Sequence, residues 1–124
     1  MSPSMRVLVV EDEALILLDL EDTLLGLGHS VVSSSTVKDA QASLESEGFD
    51  LAVIDFHLRD GTSGNLAQTL TERGVPYILC TGTARPEELQ GIPPATVILK
   101  KPYISEGLVE AVNEALASHA CPSR

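Results

Sequence analysis

Two acidic residues, Glu11 and Asp12, follow directly on the apolar run Val7-Leu8-Val9-Val10, and a third, Asp55, follows Leu51-Ala52-Val53-Ile54. Thr81 stands in the same way after Tyr77-Ile78-Leu79-Cys80, and Lys100 and Lys101, ahead of Pro102, after Thr96-Val97-Ile98-Leu99. Three carboxylates brought together repel one another and call for a cation. All-oxygen ligation suits Mg²⁺, which typically keeps several waters and is completed by phosphate oxygens. A hydroxyl and an ammonium are the partners that an added phosphoryl group requires, and a carboxylate can act as the nucleophile that accepts one. Taken singly, each residue has a plainer explanation. Glu11 and Asp12 could be acids favoured at a helix N-terminus, Asp55 a polar strand end, Thr81 before Gly82 a turn residue, and Lys100 a solvated neighbour of Lys101.

Convergence requires the four runs to be neighbouring strands. None alternates apolar with polar residues, so each should be buried on both faces, as in a parallel sheet covered by helices. A fifth, weaker run, Val31-Val32-Ser33, reads as an edge strand. The runs begin about 20–25 residues apart, room for a strand, a loop and a helix each time. The helices have legible ends and stripes. Thr36 to Asp39 has the form of a capping box and Gly48 a stop, with Val37, Ala40 and Leu44 at helical spacing between them. Thr62 or Ser63 caps the next helix, Leu66, Ala67 and Leu70 form its stripe, and Gly74 ends it. The first helix, about 13 to 27, should bury Leu17, Leu20, Leu24 and Leu27, with a second apolar side at Ala14, Leu15 and Leu18. The last carries Leu108, Val109, Val112, Ala115 and Leu116 on one face, with Glu106, Glu110 and Glu114 elsewhere. Between Thr81 and Thr96, Pro86, Pro93 and Pro94 leave room for a short helix near 86–90 at most. Such alternation predicts an α/β, doubly wound sheet with a crevice at the carboxyl ends of its central strands.

Composition bounds the function. The 124 residues suit one domain, with loose ends expected at 1–4 and 119–124 and no output domain. A net charge of −10 argues against nucleic acid or an anionic membrane as partner. Hydrophobic residues at 44% supply a core, which two Phe, two Tyr and no Trp make aliphatic. The absence of a spanning run or leader predicts a cytoplasmic protein. Cys80 reads as a small core residue, Cys121 as exposed, and His29 and His119 as surface residues.

Val-Val-Glu-Asp-Glu at 9–13, Asp-Phe-His-Leu at 55–58, Thr-Gly at 81–82 and Lys-Pro-Tyr at 101–103 resemble the receiver domains of two-component response regulators. The resemblance spans nearly the whole chain, and the wording around 11–16 and 58–63 is similar to single-domain alphaproteobacterial receivers. It implies a flavodoxin-like, five-stranded parallel sheet of order 2-1-3-4-5, with the fourth helix short or irregular here. It implies Asp55 as phosphoacceptor, Mg²⁺ on Glu11, Asp12, Asp55 and the His57 backbone carbonyl, Thr81 as switch hydroxyl and Lys101 as active-site lysine. The phosphodonor would be a sensor histidine kinase or histidine phosphotransfer protein. Docking is expected through Ala14, Leu15, Leu18 and the Pro102-Tyr103 loop, packing of that helix side against the last helix being the alternative. The domain would be a monomer or weak dimer. It would promote its own dephosphorylation, with the His57 side chain and Thr83 flanking the water's approach, and would not be an enzyme otherwise. Ile98, three residues before Lys101, departs from the family, where an aromatic commonly couples to the switch hydroxyl. Three rivals remain: a non-cycling interaction module, an aspartyl-phosphate phosphatase, which would want an acid where His57 stands, and a phosphate sink, which shares the chemistry.

Overall fold

Val7, Leu8, Val9 and Val10 point alternately to opposite sides of one sheet, and every one of them is buried. That follows from the period-2 geometry of a strand covered on both faces. The computed structural model describes residues 4–81, 97–100 and 105–120. Its elements are β1 (Arg6–Val10), α1 (Ala14–Gly26), β2 (Ser30–Ser34), α2 (Val37–Ser46), β3 (Leu51–Asp55), β4 (His57–Leu58), β5 (Gly61–Thr62), α3 (Gly64–Glu72), β6 (Tyr77–Thr81), β7 (Val97–Lys100) and α4 (Ser105–Ala120). The main sheet is parallel and ordered β2-β1-β3-β6-β7, which is the expected 2-1-3-4-5 arrangement, with the Val31-Val32 run at an edge. The short fourth helix expected near 86–90 lies outside the described residues. α4 runs to Ala120, into the stretch expected to be loose.

Two apolar layers sandwich the sheet. Leu8, Val10, Ala52, Ile54 and Leu79 face Ala40 and Leu44 of α2 and Leu66, Ala67 and Leu70 of α3. Val7, Val9, Leu51, Val53, Ile78 and Cys80 face Leu20 and Leu24 of α1 and Leu108, Ala111, Val112 and Ala115 of α4. Each fully buried Leu or Ile contributes about 1.5–3 kcal/mol relative to exposure. Three expectations need correction. Leu27 is exposed, because it caps α1 and the chain leaves the core at Gly28 (φ +94°). His29 is buried rather than superficial, its Nδ1 accepting the Met5 amide at 3.2 Å where β2 begins. Ser63 occupies the N-cap of α3, but its buried hydroxyl makes no capping bond. The Leu116 and His119 side chains and Cys121 lie outside what is described. Among the described residues no helix is long and apolar enough to cross a membrane.

Candidate functional site

The strand order reverses between β1 and β3, where connections leave toward opposite edges and open a crevice at the strand ends. Val10 pairs in register with Ile54, so Glu11 and Asp55, one residue further on, emerge side by side. Glu11 is 2% exposed and Asp55 7%, and Asp12 is half-buried beside them. One carboxylate oxygen from each of the three lies within 4.8 Å of the others. Main-chain bonds fix the strand ends. The Glu11 amide donates to the Ser34 carbonyl at 3.0 Å, and the Phe56 amide to that of Cys80 at 3.0 Å. The Glu13 amide donates to Glu11 Oε2 at 3.2 Å.

Thr81 ends β6, one residue past the Cys80 that pairs with Asp55, and is buried at the same sheet end. It pairs in register with Lys100, the last residue of β7. Lys101, Pro102, Tyr103 and Thr83 lie outside the described residues. Ile98 is 52% exposed on the edge strand. His57 is exposed, its ring edge-on to Phe56 with centroids 4.7 Å apart.

Immediately after Asp55 the chain makes an element that the sequence reading did not contain. His57 pairs with Thr62 and Leu58 with Gly61 in a small antiparallel hairpin turned by Arg59 and Asp60. The Asp60 carboxylate accepts the amides of Val37 at 2.8 Å and Lys38 at 3.1 Å, at the start of α2. These bonds hold its carboxyl below the usual range; the Val37 amide is the main cause, burial opposes it, and the amides of Lys38 and Asp60 itself add. Arg59 Nη2 donates to the Asp12 carbonyl at 3.4 Å. The available signal was the Asp60-Gly61 pair, a strong turn former. Thr36 caps α2 as expected, accepting the Asp39 amide at 3.0 Å.

Hard oxygen donors, closely grouped and mostly buried, fit a divalent cation such as Mg²⁺ better than they fit one another. No family model matches the chain. A solved structure described as a CheY-like response regulator receiver domain protein, from Methanospirillum hungatei JF-1, superposes with a TM-score of 0.85 at 28% identity, covering 95% of this chain and 98% of that one. The chain is a response regulator receiver domain. SdrG from Sphingomonas melonis Fr1 is 32% identical with a TM-score of 0.77, over 94% of this receiver and 99% of that chain. The phyllosphere-induced regulator PhyR of Methylorubrum extorquens is 34% identical over 117 residues, 90% of this chain. The receiver spans 43% of the length of that curated relative.

Proposed function

We propose that this receiver accepts a phosphoryl group on Asp55 from the phosphohistidine of a sensor kinase or phosphotransfer protein. The observation that carries the reading is the meeting of the Glu11, Asp12 and Asp55 carboxylates within 4.8 Å at the switch point of the sheet. An Asp55 oxygen attacks phosphorus, the phosphorus–nitrogen bond breaks, and the imidazole nitrogen leaves with the electron pair. Glu11, Asp12, Asp55 and the His57 backbone carbonyl would hold Mg²⁺. When bound, the ion supplies charge stabilisation for the transferring group. The Thr81 hydroxyl and the Lys101 ammonium are assigned as partners of the new phosphoryl oxygens. Burial of Asp55 limits the approach of water, which the His57 and Thr83 side chains would flank. The product acts by protein contact or by draining a kinase.

Intact mass after incubation with Mg²⁺ and acetyl phosphate tests this. The wild type should gain one phosphoryl group only with Mg²⁺, and Asp55→Asn should gain none. Failure of the wild type to gain it, together with failure to bind a beryllofluoride analogue, would overturn the mechanism and leave a docking module on a receiver scaffold.

A further inference from the structure

The hairpin after Asp55 cannot owe its position to its own turn. Favoured two-residue hairpin turns need positive φ at the first central position, and among the described residues no non-glycine has it, so Arg59 and Asp60 form a turn whose twist does not match its strands. Two residues per strand are too few for independent stability. Outside ties must therefore place the segment that starts at His57. Leu58 is buried in the layer under α2 and α3, and Asp60 ties the turn itself, with one carboxylate oxygen on each of two amides at the N-terminus of α2. That pairing is charge-assisted and aligned with the helix dipole. α2 is a firm anchor because Ala40 and Leu44 are locked into the core. Arg59 adds a longer tie to the Asp12 carbonyl.

We propose that Asp60 is a positioning residue for the acidic site: by fastening the hairpin turn to α2, it holds the backbone at His57 where that carbonyl can share a cation with Glu11, Asp12 and Asp55. The inference rests on the Mg²⁺-dependent phosphoacceptor reading. It assigns the integrity of the metal site to a carboxylate that does not touch the metal.

The test is an Mg²⁺ titration of the full chain followed by amide NMR shifts, for wild type, Asp60→Ala, Asp60→Asn and Thr36→Ala. Asp60→Ala should weaken Mg²⁺ binding about tenfold, the usual scale for groups that orient a metal's ligands. Asp60→Asn keeps one acceptor oxygen and should restore part of that loss. Thr36→Ala removes the other side-chain cap of α2 and should leave Mg²⁺ affinity as in the wild type. Equal Mg²⁺ affinity in Asp60→Ala and wild type would overturn the inference, as would an equal loss in Thr36→Ala, which would reduce Asp60 to a helix cap. A wild type whose Asp55 amide shows no Mg²⁺-dependent shift would instead overturn the phosphoacceptor reading on which the inference stands.

Discussion

At the scale of single residues, Asp60 is an exposed carboxylate whose charged form the fold favours, since it accepts two main-chain amides. Its pKa is depressed in the folded state, so the stability it contributes is complete above its unfolded value, near 4. That stability is lost as pH falls through the lower folded value. The urea midpoint of Asp60→Ala should therefore lie below the wild type at pH 7, and the gap should narrow below about pH 4. A gap that stays constant down to acid pH would mean that packing, not charge, is what the carboxylate provides. Residue types alone do not reveal such a role: Asp60 lies far from Val37 in sequence and only the folded chain brings them together. His29 shows the same limit in the other direction. A polar type next to Gly28 reads as surface, yet its Nδ1 is consumed by the Met5 amide under the sheet edge.

At the scale of elements, strands and helices were legible because local chemistry and tertiary burial agree. Runs buried on both faces are continuous in the sequence, and Leu66, Ala67 and Leu70 mark the stripe of α3 without help from neighbours. Helix ends were legible where glycine is required. α3 closes with the Gly74 amide on the Thr71 carbonyl at 3.1 Å and the Val75 amide on that of Leu70 at 2.9 Å, with Gly74 at φ +70°. A Cβ there would meet nothing within 4 Å, so substitution costs only backbone strain. Gly74→Ala should lower unfolding free energy by about 1–2 kcal/mol, and Gly74→Asn by less, because Asn tolerates that conformation. Thermal melts of the two variants check this, and equal losses would contradict it. Of the β4–β5 hairpin only a turn was legible, from Asp60-Gly61, because two-residue strands have too short a pattern and are stabilised from outside.

At the scale of the whole molecule, α1 presents Ala14, Leu15 and Leu18 to solvent beside the acidic crevice, with Leu15 79% and Leu18 55% exposed. The alternative that this side packs on α4 is not what the fold does, since α1 meets that helix's layer through Ile16, Leu17, Leu20 and Leu24. An apolar face on the helix that follows Glu11 and Asp12 would suit a docking helix pair of the proposed phosphodonor. Replacing Leu15 and Leu18 together by Ser should slow transfer from a phosphorylated histidine phosphotransfer domain by about tenfold, the loss of a modest interface anchor. Phosphorylation by acetyl phosphate should be unchanged, and an equal fall in both rates would place the effect in the site rather than in docking. The sequence by itself determined the alternating elements, the strand ends and the identity of Glu11, Asp12 and Asp55, because strand burial and helix capping are local and periodic. Only the tertiary structure decided that these carboxylates meet within 4.8 Å, that Leu15 and Leu18 stay uncovered and that Asp60 ties the hairpin to α2. Those facts depend on register and crossover between segments far apart in the chain, and no local pattern encodes a distance.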